Sequence, residues 1–194
     1  TNHKIYGEGI AILAGDGLLT LAFETIFKQD KVSAEVVLKV AREIAVAAGA
    51  QGMVGGQVID LISEGKEINE NALKYIHENK TGALFKAAIR CGAILANATE
   101  KEITLLTNFA DYFGLAFQIT DDILDVIGNE KKIGKPTGSD KRNQKQTYVS
   151  IYSLEGAKKV AKETVKKAKE NLDYFGDNAK VLNALAEYLI TRET

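Results

Sequence analysis

The chain has 194 residues, 45% of them hydrophobic and 26% charged, with a formal net charge of −1. Those proportions suit one folded domain, 1–194, and argue against disorder, while the near-neutral charge argues against a nucleic-acid partner. Its one cysteine, Cys91, excludes an internal disulfide, and with no signal-like start the composition points to a reducing cytoplasm.

Apolar residues first recur at helical spacing from Ile10 through Leu13, Leu18, Leu21 and Phe23 to Ile26. Gly, Asp or Lys breaks the apolar stretches short of the roughly 20 residues a bilayer span needs, so no membrane insertion is expected. A polar break follows at 28–31. Ser33 then reads as the N-cap of a helix carrying Val36, Val40, Ile44 and Ala47. A glycine-rich stretch covers 49–56, and Gly65-Lys66 marks a loop. Asn69 opens a helix predicted to run through Leu73, Ile76, Leu84 and Ile89 to Ala96. Thr99 and Glu102 form a capping box ahead of a long helix through Phe109, Phe117 and Ile123.

Residues 128–146 hold three glycines, the single proline Pro136 and many charges, and read as a loop. Helices are predicted again over 147–153, 155–175 and 178–191, with the lysines of the second forming a solvated face. No stretch alternates as a strand does, so the fold class is all-α. Seven glycines, Gly49, Gly52, Gly55, Gly56, Gly82, Gly92 and Gly114, fall inside these helices. Each costs about 1 kcal/mol relative to alanine. Either helices approach closely there or backbone opens toward a ligand.

The strongest chemical signal is FQITDDILD, 117–125. Gln118, Asp121, Asp122 and Asp125 share one helical stripe, with Ile119 and Ile123 largely on another face. Carboxylates four apart repel, so helix stability does not account for them. A hard cation does: Mg²⁺ takes a few carboxylates plus waters and phosphate oxygens. The competing reading is a solvent-facing acidic patch. Lys135, in the glycine-rich GKPTGSD at 134–140, suits a phosphate held between a cation and an ammonium. Upstream, His77, Lys80 and Thr81 share a helical face. Lys80 offers a second ammonium or is a surface lysine, and His77 is a structural or exposed histidine. Gln57 and Asp60 lie three apart on one helix. They orient Lys80 or the metal face, or they belong to a helix-packing motif with a buried hydrogen bond.

The stretches GMVGGQVID (52–60), HENKTGALF (77–85), GLAFQITDDILD (114–125) and GKPTGSD (134–140) resemble, in order and spacing, those of trans-isoprenyl diphosphate synthases. Bacterial farnesyl and geranylgeranyl diphosphate synthases are the most similar. Asn2-His3-Lys4 and LAGDGLL at 13–19 match the run after the family's first aspartate-rich motif. The resemblance implies an isoprenoid synthase helical bundle of which this chain is the C-terminal portion. The first motif and an arginine pair would precede Thr1.

The resemblance further implies a Mg²⁺-dependent prenyltransferase joining isopentenyl diphosphate to an allylic diphosphate. Asp121 and Asp125 would hold Mg²⁺, with Asp122 assisting. Lys80 and Lys135 would contact the allylic diphosphate, and Thr81 and Gln118 would sit near the allylic cation. Gln57, Asp60 and Asp140 would support these groups from behind. Farnesyl diphosphate is the expected product, with geranylgeranyl diphosphate or a non-catalytic subunit of a two-chain synthase as alternatives. A homodimer is implied, and 1–194 alone is expected to be inactive. A terpene cyclase fits less well, because it lacks HxxKTG and GKPTGSD. A di-iron bundle requires Glu-x-x-His pairs that neither His3 nor His77 provides.

Overall fold

A computed structural model describes residues 1–128, 138, 140 and 145–192. Every element among the described residues is helical. In chain order they are α1 (Asn2–Tyr6), α2 (Glu8–Phe27), α3 (Ala34–Ala48), α4 (Met53–Ser63) and α5 (Glu70–His77). A π-helical turn (Glu78–Gly82) joins α5 to α6 (Ala83–Leu95). Then come α7 (Glu100–Ile127), α8 (Tyr148–Glu170), a 3-10 segment (Asp173–Ala179) and α9 (Lys180–Thr191).

Three helix starts fall where the sequence places them. Ser33 Oγ accepts the Val36 N–H, and Asn69 Oδ1 accepts that of Ala72. Thr99 Oγ1 accepts the Glu102 N–H while the Glu102 carboxylate accepts that of Thr99, closing the capping box. Caps of this kind contribute about 0.5–2 kcal/mol each.

Other boundaries differ for identifiable reasons. The predicted helix 69–96 is interrupted by the π turn, which widens the backbone where α4 presses on it. The predicted break between 153 and 155 is a single residue, Ser153, at φ 66° and ψ 167° inside α8. The Ser153 hydroxyl accepts the Gly156 N–H and restarts the helix. The helix predicted to reach 175 ends at Glu170. Gly176, at φ 52°, turns the chain before α9.

α7 packs most extensively on α8 and next on α6, which in turn lies on α3. One core patch joins Phe109, Val165, Leu172 and Leu189, and a second joins Leu73, Ile119, Ile123 and Tyr148. Ala116 and Ala168 in the first patch and Ala157 in the second are fully buried. With no side chain beyond Cβ, these alanines let the α7 and α8 backbones draw close enough for the larger residues to interdigitate.

α2 overturns one expectation. Gly9, Gly15, Gly17 and Asp16 do not interrupt it, each glycine costing the helix only about 1 kcal/mol. The result is a 20-residue helix long and apolar enough to cross a membrane by length and composition. None of its residues is buried, and Ile10, Leu13, Leu18 and Leu21 are all exposed.

Candidate active site

α4 carries Gln57 and Asp60, the π turn carries Lys80 and Thr81, and α7 carries Gln118 and the aspartates. Gly56 sets the distance between the first two. A Cβ added there would lie 2.2 Å from the backbone nitrogen of Lys80. Only glycine lets α4 touch the turn at that point. Gly114 plays the same part between α7 and the turn, where a Cβ would lie 3.0 Å from Gly82 Cα. Close approach thus accounts for Gly56 and Gly114. It does not account for Gly92, around which a Cβ would meet nothing within 4 Å.

The contact between α4 and the turn brings Lys80 Nζ to 2.7 Å from Asp60 Oδ2. Lys145 Nζ reaches the same oxygen at 2.8 Å and Glu64 Oε1 at 3.3 Å. The backbone N–H of Ile68 donates to Gln146 Oε1 at 2.6 Å, tying the segment bearing Lys145 to the α4–α5 loop. One carboxylate therefore gathers two ammonium groups that lie 65 residues apart in the numbering. Burial pushes the Asp60 carboxyl up, and the hydrogen bonds from Lys145 and Lys80 more than reverse this, leaving it below the usual carboxylate range. Gln57, one turn before Asp60, is half-buried, as are Thr81 and Gln118.

The aspartate stripe divides into two. Asp121 is exposed and receives Arg192 Nη2 at 3.2 Å. Asp125 is half-buried; its Oδ2 accepts the Asp140 N–H at 3.2 Å, and its carbonyl oxygen accepts that of Gly138 at 2.8 Å. Asp122 turns inward. It is 8% exposed, and its Oδ2 accepts the Tyr148 N–H at 2.8 Å. Asp122 therefore does not project outward with Asp121 and Asp125, as the helical stripe predicts. A stripe spans a wide arc, and the inner edge of this one meets the positive N-terminus of α8, where a carboxylate is stabilised. Among the described residues, no three His, Cys, Asp or Glu side chains converge as a ready-made metal cage.

Asp140 stands beside Asp125, whose Oδ2 accepts its N–H. Burial, then the charges of Asp125 and Asp122, push its carboxyl up to about 6. Carboxylates crowded in this way fit a divalent cation, which would relieve the repulsion. Lys135, predicted beside them, lies outside the described residues.

Two residues of the site escaped the sequence reading. No periodicity in the sequence links Lys145 to Asp60. Arg192 has no motif at all. It reaches α7 from the end of α9, with Nη2 donating to Thr120 Oγ1 at 3.0 Å and its guanidinium carbon 4.5 Å from the Phe117 ring centre.

The model of the family described as polyprenyl synthetase matches residues 1–187. The chain belongs to that family. It is 47% identical to a geranylgeranyl diphosphate synthase of Cyanophora paradoxa, over 99% of this chain and 65% of that protein. It is 45% identical to a farnesyl diphosphate synthase of Bacillus subtilis, over all of this chain and 66% of the other. This polyprenyl synthetase chain thus spans slightly under two thirds of the length of these relatives.

Solved structures of family members agree on the fold. A geranylgeranyl pyrophosphate synthetase of Pyrococcus horikoshii superposes with a TM-score of 0.89 at 31% identity, over 100% of this chain and 70% of that one. A Helicobacter pylori geranyltransferase complexed with magnesium and isoprenyl diphosphate gives 0.85 at 29% identity, over 98% and 62%.

Proposed function

We propose that this chain is part of a prenyl diphosphate synthase that condenses isopentenyl diphosphate with dimethylallyl or geranyl diphosphate to give farnesyl diphosphate. The observation that carries the proposal is the gathering of Lys80 and Lys145 on Asp60, with Lys80 on the π turn that packs against the aspartate helix. Two ammonium groups held together suit a diphosphate, whose negative charge grows as it leaves.

In this reading the allylic C–O bond breaks and its electron pair departs with the diphosphate. The double bond of isopentenyl diphosphate then attacks the allylic cation, and a proton is lost to restore an alkene. Lys80 and Lys145, with Lys135 from the loop, bind the leaving group. Asp60 sets the spacing of the first two. Thr81 and Gln118 direct oxygen dipoles at the cation. Magnesium, held by Asp121, Asp125 and Asp140, would neutralise part of the diphosphate charge. The magnesium in the Helicobacter pylori relative supports that choice of ion.

A homodimer in the cytoplasm completes the proposal. The exposed Ile10, Leu13, Leu18 and Leu21 of α2 form the kind of apolar surface that a second copy would cover. The chain's similarity to a geranylgeranyl synthase, at 47% identity, favours a second reading in which the product is one condensation longer.

The test is product analysis. The complete protein carrying this chain is incubated with isotopically labelled isopentenyl diphosphate, each allylic diphosphate in turn, and Mg²⁺. Chromatography of the dephosphorylated products should show farnesol, and residues 1–194 alone should form none. Absence of any prenyl alcohol from the complete protein would refute the proposal.

A further inference from the structure

His77, Asp122 and Tyr148 come from α5, α7 and α8 and meet in the interior, at 7%, 8% and 3% exposure. The Tyr148 ring stacks on the imidazole, with centres 5.7 Å apart and planes 22° from parallel. The Tyr148 N–H occupies one lone pair of Asp122 Oδ2. His77 Nε2 faces the same oxygen at 3.8 Å, too far for a hydrogen bond. That nitrogen is buried and has no hydrogen-bond partner among the described residues.

A buried nitrogen without a partner is costly, and a phenylalanine or leucine would fill the same volume without that cost. The arrangement is explained if the partner is gained in another state of the protein. Oδ2 can accept a second donor. The gap exceeds a normal hydrogen bond by only about 1 Å.

Each member of the trio adjoins the proposed diphosphate site in the chain. His77 ends α5, three residues before Lys80. Asp122 follows Asp121, and Tyr148 opens α8 three residues after Lys145. His77 ends α5 at the base of the turn that carries Lys80, so an anion drawing Lys80 from Asp60 toward α7 would carry His77 toward Asp122, across a gap that is 3.8 Å here.

We propose that His77 is a positioning residue whose Nε2 closes onto Asp122 when the diphosphate site fills, locking the Lys80 turn against the aspartate helix. The inference rests on the synthase reading above.

The experiment uses the complete protein with ¹⁵N-labelled histidine and, as probe, inorganic diphosphate with Mg²⁺. A slowly exchanging, downfield His77 Nε2–H signal should appear only when both are present. His77→Phe keeps the ring and the volume, so its melting temperature should not fall, but its affinity for Mg²⁺-diphosphate should drop about tenfold. His77→Gln, whose amide N–H can stand near the Nε2 position, should recover most of that loss. If wild-type protein binds the probe while the His77 signal stays unchanged, or if His77→Phe binds as wild type does, the inference is overturned. If wild-type protein and Lys80→Ala both fail to bind the probe, the synthase reading itself falls, and the inference with it.

Discussion

Arg192 donates through Nη2 to Asp121 Oδ1 at 3.2 Å, so the end of the last helix is fastened to the most exposed of the three aspartates at 121, 122 and 125. The guanidinium and a metal ion would seek the same oxygen. The Asp121 side chain is 48% exposed, so solvent screens the pair and it contributes at most about 1 kcal/mol. Arg192→Gln should therefore tighten Mg²⁺ binding by up to about fivefold. Isothermal titration of Mg²⁺ into both proteins checks this; weaker binding by the variant would mean that Arg192 orients Asp121 instead of competing for it.

Asp121 and Asp122 should respond to alanine in opposite ways. Asp121→Ala should depress turnover of the complete enzyme by orders of magnitude while helix content and melting temperature hold. Asp122→Ala removes the acceptor of the buried Tyr148 N–H and should destabilise the fold by about 1–3 kcal/mol. Circular dichroism melts beside initial rates separate the two effects. Equal melting temperatures for both variants would contradict the division of the stripe.

Asp60 makes acid stability measurable. Its folded-state carboxyl lies below its ordinary value, so it stabilises the fold above the unfolded-state pKa, and that contribution is lost as pH falls through the folded value. Asp60→Asn should accordingly lower stability at pH 7 by about 1–2 kcal/mol, with the deficit shrinking below about pH 4. Urea titrations across that range give the result. A deficit that does not change with pH would show that packing, and not the lysine contacts, carries the effect.

The glycines of α4 and α6 predict opposite signs. Gly56→Ala forces a methyl against the Lys80 backbone and should cost at least about 2 kcal/mol together with most of the activity. Gly92→Ala, which meets nothing within 4 Å, should stabilise by about 0.5–1 kcal/mol. Thermal melts of the two variants are sufficient, and a stable, active Gly56→Ala would show that α4 can retreat from the turn.

Local chemistry carried much of this protein. Ser33, Asn69 and the Thr99–Glu102 pair begin helices through contacts within four residues, so they are legible in one dimension. The residues of the candidate site were legible for a related reason: DDxxD and HxxKTG pack their chemistry into one or two helical turns. The tertiary structure decided which carboxylates face outward, since only the arrival of α8 turns Asp122 inward. It also decided the π turn, which exists where Gly56 meets Lys80. Lys145 and Arg192 joined the site through contacts spanning 85 and 71 residues, a range over which periodicity carries no signal. Short-range hydrogen bonds are set by neighbours in the chain, whereas the partners of a buried charge are set by whichever helix the apolar faces bring against it.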